Sequence, residues 1–321
     1  MVNLDIKKKI LLSIVLLAVL IVIFNLRIVG KNGVKKDADP QKVLKSIQNG
    51  YTVLAAGDIG DCWSKNTAAT ETAKLLGKFP GIPILTLGDN SNIDGTKEDY
   101  ETCFDPTWGR YKDRIFPSVG NHDYHAKGAV PYYEYFGEKA GEPGKGYYSF
   151  NLGNWHLIAV NTDIIADPCS ATSDICKGFL EEMDWLKKDL EQNKTDCTLI
   201  FGHYPRFSSG ITSATIGVDP LWKLAYSENV DLILNGHAHD YERFAPQDPQ
   251  GNLDLKRGIR EIVVGTGGAD LTGYGDIAKN TEIITNRVHG ILKLILGKGE
   301  YGWEFISVDG SFVDKGQSSC H

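Results

Sequence analysis

The chain has 321 residues, of which 42% are hydrophobic and 23% are charged. These proportions are ordinary for a globular protein and exclude a disordered or fibrous chain. After Lys36 the sequence holds 40 Asp and Glu against 27 Lys and Arg. Because such an acidic domain has no broad attraction for nucleic acid, we expect no nucleic-acid partner.

The amino-terminal 30 residues differ most from the rest of the chain. Residues 10–24 form an uncharged run interrupted only by Ser13, and the apolar pattern continues to residue 29. Its length approaches the roughly 20 residues that cross a bilayer. Basic residues flank the run on both sides, so charge leaves its orientation open, and no clear cleavage signal follows it. The sequence predicts a transmembrane signal-anchor over residues 1–30, a linker over 31–49 and one domain over 50–321.

Six cysteines, all after the apolar run, indicate the compartment of the domain. They form an even set without a CxxC pair of the kind that holds structural zinc. This pattern favours disulfides and an extracytoplasmic location, membrane-anchored or secreted if the amino-terminal segment is cleaved. Cys169 and Cys176 could close a short loop, whereas the pairing of the other four stays open. Six reduced thiols in a cytosolic domain are the alternative.

Short apolar runs recur through the domain and alternate with helical patterns. The runs are rich in Val, Ile and Leu and too short for buried helices, so they predict strands covered on both faces. The predicted strands lie at residues 51–56, 83–87, 115–119, 156–160, 198–201, 230–234, 261–264 and 288–296. Amphipathic stretches predict helices at residues 67–76, 179–193 and 221–228. The alternation predicts an α/β domain with a largely parallel or mixed sheet.

A glycine followed by a polar side chain comes after five of these strands. Open α/β sheets bind ligands at the carboxyl ends of their strands, and glycine lets the backbone approach a ligand closely. The five pairs are Gly57-Asp58, Gly88-Asp89, Gly120-Asn121, Gly202-His203 and Gly236-His237. With His239 they provide two Asp, one Asn and three His, a set without thiolate that suits Fe, Mn or Zn. So many donors favour two metal ions, bridged by a carboxylate that we assign to Asp89.

These motifs resemble those of the calcineurin-like metallophosphoesterases. The blocks that carry the resemblance are Gly57-Asp58-Ile59-Gly60, Gly88-Asp89-Asn90, Gly120-Asn121-His122-Asp123, Gly202-His203 and Gly236-His237-Ala238-His239. Each block alone is weak, but five in the family's order are specific. The block at residues 236–243 is most similar to the purple acid phosphatase branch. The resemblance covers about residues 53–243 and implies a four-layer α/β/β/α sandwich with two mixed sheets.

The resemblance also implies how the metal ligands are divided. It implies metal 1 on Asp58, Asp89 and His239. It implies metal 2 on Asp89, Asn121, His203 and His237. A metal-bound hydroxide would then attack phosphorus, so that no protein nucleophile is required.

Further residues are implied to contact the substrate. His122 resembles the family histidine that contacts phosphate and protonates the leaving oxygen, and Asp123 is expected to orient its imidazole. Asn121, His125 and Arg243 are candidate phosphate contacts. His125 could instead be a solvated loop residue, and Arg243 could instead pair with a nearby acid.

Two positions depart from the family pattern at metal 1. Asn92 stands where purple acid phosphatases carry a metal-binding tyrosine, and Gly60 stands where the wider family often carries histidine. The Asn92 carbonyl oxygen, or water, could take the free place. We therefore expect no tyrosinate-coloured ferric centre and leave the metals open among Fe, Mn, Zn and Mg.

The implied function is a dinuclear-metal hydrolase of phosphoric esters, closest to an acid-phosphatase-like phosphomonoesterase. Its expected substrate is a phosphorylated small molecule or a phosphoprotein. A phosphodiesterase is the enzymatic alternative. The second alternative is a surface protein that keeps the fold but only binds phosphate or a partner. The incomplete shell of metal 1 favours this alternative.

Overall fold

The computed structural model describes Ile47 and residues 50–62, 67–166, 174–211 and 216–321, without the side chains of residues 174–176 and 216. The predicted anchor at residues 1–30 and, apart from Ile47, the predicted linker at 31–49 lie outside these ranges. Over the described ranges, no helix combines the length and the apolar character needed to cross a bilayer. The anchor therefore stays a prediction from sequence.

Thirteen strands form two sheets in the described residues. In chain order they are β1 (Tyr51–Ala56), β2 (Ile84–Leu87), β3 (Ile115–Ser118), β4 (Tyr148–Leu152), β5 (Trp155–Ala159), β6 (Cys197–Phe201), β7 (Leu232–Asn235), β8 (Tyr241–Phe244), β9 (Arg260–Val264), β10 (Thr281–Thr285), β11 (Gly290–Leu296), β12 (Glu300–Ser307) and β13 (Val313–Ser319). The first sheet has the order β13-β12-β11-β1-β2-β3, and the second has the order β10-β8-β9-β7-β6-β5-β4. Parallel pairing joins β1, β2 and β3, and likewise β5, β6, β7 and β9, while the other pairs are antiparallel. Both sheets are thus mixed, as predicted.

Helices connect the strands. The α-helices are α1 (Ala68–Gly77), α2 (Lys97–Asp99), α3 (Val130–Phe136), α4 (Thr162–Ala166), α5 (Asp174–Gln192) and α6 (Asp219–Ser227). A π-helical turn at Tyr100–Phe104 continues α2. Single 3-10 segments lie at Trp108–Arg114, Asp123–His125, Lys127–Ala129, Gly137–Ala140 and Ile216–Val218.

The side chains of β6 show how the layers are held together. Leu199 and Phe201 are fully buried in the core shared by the two sheets. Ile200 points to the opposite face, where it packs in a cluster with Leu186 of α5 and Trp222 of α6. Because successive strand residues face opposite sides, an uninterrupted apolar run covers a strand on both faces. This arrangement of helices over two packed sheets is the predicted α/β sandwich.

Eight predicted strands are present, with small shifts, as β1, β2, β3, β5, β6, β7, β9 and β11. The sequence did not predict β4, β8, β10, β12 and β13. Three of these, β4, β10 and β13, are edge strands in which most side chains are only half-buried or exposed. Edge strands of this kind lack the continuous apolar run by which the central strands were predicted.

Two disulfides lie in the described residues. Cys62 is bonded to Cys103, and Cys197 is bonded to Cys320. These bonds confirm the prediction of disulfides and are consistent with an oxidising compartment. The predicted loop closed by Cys169 and Cys176 lies outside the side chains that the structure describes.

Candidate metal centre

The central parallel strands bring their carboxyl ends to one place in the molecule. Asp58 and Asp89 follow β1 and β2 in the first sheet, and His203 and His237 follow β6 and β7 in the second. Backbone bonds join the two sheets beside them, since Gly57 N–H donates to Val264 O at 2.9 Å. The His203 Nδ1 lies 2.9 Å from the Leu87 carbonyl oxygen across the same junction. The site is therefore built where both sheets end.

Three buried side chains form the centre of the site. Asp58, Asp89 and His203 each present one donor atom, and all three atoms lie within 4.8 Å of one another. The His203 Nε2 is 3.2 Å from Asp89 Oδ2 and 2.9 Å from Asn121 Oδ1. It is also 3.2 Å from the Nδ1 of His237. Donor atoms of five predicted ligands therefore point into a common space.

His239 extends this group on the Asp58 side. Its Nε2 lies 3.4 Å from Asp58 Oδ1, and its Nδ1 lies 2.7 Å from the Asp270 carbonyl oxygen. A backbone carbonyl that accepts from Nδ1 fixes the imidazole and leaves Nε2 for a cation, as is usual for metal-binding histidines. The Leu87 carbonyl holds His203 in the same way. The structure thus brings together all six side chains on which the two metals were predicted.

Two buried oxygen atoms test whether a cation fits here. Asn92 Oδ1 is inaccessible to solvent and accepts no hydrogen bond, and Asp58 Oδ1 is equally buried and accepts none either, although His239 Nε2 lies 3.4 Å from it. Leaving such atoms unpaired in the interior costs free energy unless another partner compensates. The Asn92 backbone N–H donates to Gly60 O at 3.0 Å, which fixes Asn92 beside the Asp58 loop. Unpaired oxygens among oxygen and nitrogen donors suit a bound metal ion.

The electrostatic field of the site favours positive charge. Burial alone would raise the pKa of Asp89, but the nearby His203 and His122 outweigh it and hold the pKa below its ordinary value. Burial alone would lower the pKa of His203, but the Asp89 and Asp58 carboxylates raise it to about 10. At His239, burial likewise would lower the pKa, but the Asp58 carboxylate outweighs it and raises the pKa to about 9. A site that stabilises protonated imidazoles is one in which cations are favoured.

The backbone of the ligand loops is unusual. Asp58, Asp89 and His237 have φ angles of 58°, 48° and 67°, in the left-handed region that non-glycine residues rarely adopt. Such conformations persist where surrounding structure enforces them, and they cluster at functional sites. A Cβ atom added to Gly120 would collide with the Asp89 carboxylate. Glycine is required at position 120 because the backbone passes directly against the side chain of Asp89, a predicted metal ligand.

His122 lies at the solvent side of the group. Its backbone N–H donates to Asp89 Oδ1 at 2.8 Å, and its Nε2 is 3.9 Å from Asp89 Oδ2. Its Nδ1 lies 2.6 Å from the Ile93 carbonyl oxygen. The side chain is 30% exposed, so a substrate can reach it. The ring of His125 lies 4.5 Å from that of His122, and its Nδ1 is 3.1 Å from the same Ile93 oxygen.

The role predicted for Asp123 needs correction. Its carboxylate is fully buried and accepts hydrogen bonds from Gly120 N–H at 2.9 Å, Asn90 Nδ2 at 3.1 Å and the Tyr100 hydroxyl at 2.6 Å. The imidazole of His122 is held instead by Ile93 O. Asp123 therefore fixes the loops around the site and does not orient His122. Burial, and then Asp89, raise the pKa of Asp123 to about 6.

The phosphate-binding role considered for Arg243 also needs correction. Its Nε lies 2.6 Å from Asp314 Oδ2, its Nη1 pairs with Glu282, and its guanidinium stacks 4.7 Å from the Trp303 ring centroid. This ion pair with nearby acids is the alternative that the sequence left open. The guanidinium helps to join β8 and β13 rather than to form the metal site.

Other contributors to the site were not foreseen. The carbonyl groups of Leu87, Ile93 and Asp270 orient three of the histidines. No sequence pattern marks them, because every residue has a carbonyl group. The Tyr204 ring packs edge-on against His237, with the ring centroids 4.5 Å apart. The sequence did offer one indication of this role, since Tyr204 directly follows the predicted ligand His203.

Comparisons with known proteins agree with this geometry. The family model of calcineurin-like phosphoesterases matches residues 34–241, more than half of the chain. Purple acid phosphatase 15 of Arabidopsis thaliana is 27% identical over 259 residues, covering 67% of this chain and 44% of that protein. The chain spans half the length, or less, of such plant relatives.

Two solved structures share the fold. Purple acid phosphatase PPD1 of yellow lupin (Lupinus luteus) has a TM-score of 0.67 at 18% identity, over 84% of this chain and 53% of that one. GAP50, described as the anchor in the inner membrane complex of Plasmodium, has a TM-score of 0.67 at 17% identity. That match covers 84% of this chain and 89% of GAP50. At such identities the likeness establishes the fold alone.

The family match supports the predicted enzyme class, a hydrolase of phosphoric esters. Motifs, fold and convergent ligands lead to one conclusion: the chain belongs to the calcineurin-like phosphoesterase family, with purple acid phosphatases among its relatives.

Proposed function

We propose that this protein is a phosphomonoesterase that works with two metal ions. The observation that carries the proposal is the convergence of Asp58, Asp89 and His203, whose donor atoms lie within 4.8 Å of one another at the strand ends. His122 lies beside them and is accessible to solvent. A buried cation site next to an exposed imidazole suits hydrolysis of a phosphate ester.

Two metal ions are the cofactors that the family and the ligand set indicate, with their identity open among Fe, Mn, Zn and Mg. We assign metal 1 to Asp58, Asp89, His239 and Asn92. We assign metal 2 to Asp89, Asn121, His203 and His237. When bound, such ions supply Lewis acidity and lower the pKa of water enough for it to attack phosphorus.

His122 is the proposed general acid. Its Nδ1–H donates to Ile93 O, which leaves Nε2 directed toward the Asp89 side of the site. In the imidazolium form, Nε2–H can hold a phosphate oxygen and then protonate the leaving oxygen. His125 is the proposed second phosphate contact because its ring adjoins that of His122.

The test combines metal analysis with turnover. Metal content and hydrolysis of p-nitrophenyl phosphate are measured for the parent chain and for Asp89→Ala, with the exposed Asp196→Ala as the matched control. We expect about two metals and turnover in the parent and the control, and loss of both in Asp89→Ala because the bridging ligand is gone. Normal turnover by Asp89→Ala would refute the site assignment.

The ester class is decided by a second substrate. Hydrolysis of bis(p-nitrophenyl) phosphate is compared with that of the monoester under the same metal supplement. We expect faster cleavage of the monoester. Faster cleavage of the bis ester would replace the proposal by a phosphodiesterase.

A non-catalytic role is the second candidate. GAP50 has the same fold, and its description as an anchor shows that this fold also occurs in a protein of another role. Asn92 in the metal 1 shell also favours a weaker centre. Fewer than two metals per chain, together with no hydrolysis under any metal supplement, would support this candidate.

We also propose that the domain is extracytoplasmic and anchored by residues 1–30. The disulfides support the compartment. Carbonate extraction of membranes from cells that express the full chain tests the anchor. Recovery of the full-length chain in the soluble fraction would contradict it.

A further inference from the structure

One strand end of the second sheet takes part in the site without supplying a predicted ligand. Strand β5 runs parallel to β6 and ends at Ala159, and the next residue still pairs, since Val160 N–H donates to Phe201 O at 3.0 Å. The carboxyl ends of adjacent parallel strands lie at the same edge of a sheet. Residues 161–163 therefore lie beside the loop after β6, which carries His203.

The side chain of Thr162 holds the backbone of His203. Thr162 is fully buried, and its Oγ1 accepts the N–H group of His203 at 3.2 Å and that of Tyr204 at 2.9 Å. A Cβ atom added to Gly202 would lie 2.9 Å from Thr162 Cγ2, so the exit of β6 packs directly against this threonine. One hydroxyl group thus fixes two successive N–H groups, the first of which belongs to a predicted ligand.

Two further bonds fix His203, and both come from main-chain groups. Its carbonyl oxygen accepts the Gly236 N–H at 3.0 Å, and its Nδ1 lies 2.9 Å from Leu87 O. With these restraints the His203 Nε2 lies 3.2 Å from Asp89 Oδ2. A main-chain carbonyl is present whatever residue supplies it, whereas the hydroxyl group at position 162 depends on the residue type. Of the three restraints, the one from Thr162 is therefore the one that a substitution can remove cleanly.

The same hydroxyl group acts on a second predicted ligand through Tyr204. The Tyr204 ring packs edge-on against the His237 ring, with the centroids 4.5 Å apart. The Tyr204 carbonyl oxygen accepts Asn235 Nδ2 at 2.9 Å, and the Tyr204 hydroxyl lies 3.3 Å from Asp163 Oδ1. Because Thr162 holds the Tyr204 N–H, it also limits how far this ring can move away from His237.

We propose that Thr162 is a positioning residue for metal 2. His203 and His237 are two of the four ligands that we assign to this ion, and we assign neither to metal 1. Groups that hydrogen-bond to metal ligands orient them, and their loss lowers metal affinity by roughly 10–100-fold. Without the Thr162 hydroxyl, two buried N–H groups would lose their acceptor, and the backbone of His203 would shift to find another. This inference rests on the proposed function, because metal 2 is part of it.

Zinc titration tests this role without using turnover. The metal-free full chain is titrated with Zn²⁺ against a chromophoric chelator, and the binding step that is missing in His237→Ala identifies metal 2. Thr162→Val keeps the shape of the side chain but not the oxygen. In this variant we expect metal 2 to bind about tenfold more weakly and metal 1 to bind with unchanged affinity. Thr162→Ser keeps the hydroxyl group, so its affinity for metal 2 should stay within about twofold of the parent.

Asp231→Ala is the matched control. The buried Asp231 carboxylate accepts the backbone N–H groups of Thr198 at 2.8 Å and His321 at 2.9 Å, at the opposite end of β6 from His203. Urea unfolding of the metal-free proteins measures how far Asp231→Ala and Thr162→Val are destabilised. We expect both variants to be less stable than the parent, because each leaves two backbone N–H groups without their acceptor. Both zinc affinities should be unchanged in Asp231→Ala.

Three results would overturn the positioning role alone: unchanged affinity for metal 2 in Thr162→Val, an equal loss at both metals, or the same loss in Asp231→Ala. Binding of fewer than two Zn²⁺ ions by the parent chain would overturn the proposed function and the positioning role with it. If Thr162→Val does not fold, Thr162→Ala decides, because water can enter the space of the lost side chain and accept the N–H groups. We then expect an approximately threefold loss at metal 2, and the absence of any loss would overturn the role.

Discussion

His122 directs its ring toward the Asp89 carboxylate, whereas its neighbour Asp123 directs its carboxylate into the protein. The glycine and polar pairs at the strand ends were sufficient to predict that Asp58, Asp89, Asn121, His203 and His237 meet at one site. They could not predict which way each side chain points. Orientation depends on contacts with distant loops, such as that between Tyr100 and Asp123, and local sequence does not encode these contacts.

Substitution should distinguish the role of His122 from that of Asp123. In Asp123→Ala, buried donors on Gly120, Asn90 and Tyr100 lose their acceptor, so the free energy of unfolding should fall by about 3 kcal/mol or more. In His122→Ala the loss should stay below about 1 kcal/mol while turnover falls roughly 100-fold. Urea unfolding and steady-state kinetics measure the two effects. Similar destabilisation by both variants would contradict the assignment.

At the scale of the elements, the site depends on how closely the loops approach one another. Glycine at a strand exit was predicted to permit close approach of the backbone to a ligand. In the structure these glycines lie against other side chains of the site: an added Cβ at Gly120 would meet the Asp89 carboxylate, and one at Gly88 would meet the His203 ring. The pattern was therefore predictable, but the partner of each glycine was not, because it lies on another strand.

Gly120→Ala should move Asp89 and weaken metal binding. The new Cβ would overlap the carboxylate and the backbone nitrogen of Asp89, so this residue would have to move away from Asp58 and His203, with which we propose that it holds metal. We expect metal content to drop below one ion per chain while the chain still folds. Metal analysis and circular dichroism test this. Gly178→Ala, where the new Cβ meets only a methyl group of Ile164, is the control and should retain both metals.

Strand β9 contributes a buried acid that should make stability depend on pH. The Glu261 carboxylate accepts the backbone N–H groups of Arg206 and Phe207 at 2.8 and 3.0 Å. Burial raises its pKa to about 8, and the nearby Glu242 adds to the shift while Arg206 opposes it. Between the ordinary pKa of 4.5 and about 8, the folded state binds more protons than the unfolded state. Stability should therefore fall as pH rises through this window.

Glu261→Gln should flatten that dependence. The amide does not titrate, so the slope of unfolding free energy against pH should decrease by up to about 1.4 kcal/mol per pH unit. Urea unfolding at intervals from pH 5 to pH 8 measures both slopes. Parallel curves for the two proteins would show that Glu261 keeps its charge in the folded state.

At the scale of the whole molecule, the sequence was informative about the interior and less so about the edges. Continuous apolar runs marked the central strands, because both of their faces are buried. The edge strands β4, β10 and β13 expose part of one face, so their patterns were not distinguished from loops. An even set of cysteines indicated disulfides, but only the fold determines which of them meet.

The two described disulfides should contribute unequally to stability. Cys197–Cys320 closes a segment of 123 residues and Cys62–Cys103 one of 41. In the chain-entropy model, the disulfide that closes the longer loop raises the free energy of unfolding by about 1 kcal/mol more than the other. The Cys197→Ser, Cys320→Ser pair should therefore lower the free energy of unfolding by about that much more than Cys62→Ser, Cys103→Ser. The reverse order in urea unfolding would contradict the model.

The left-handed backbone at Asp58 has a practical consequence for capturing this protein with a ligand. After glycine, asparagine is among the residues that accept this conformation most readily. Asp58→Asn keeps that preference and can still accept the His237 N–H through the oxygen that now lies 2.9 Å away. It removes only the negative charge and one strong donor to the metal 1 that we propose. The Asp58→Asn variant should be folded but catalytically inactive, and therefore suited to binding an intact phosphate ester for crystallography.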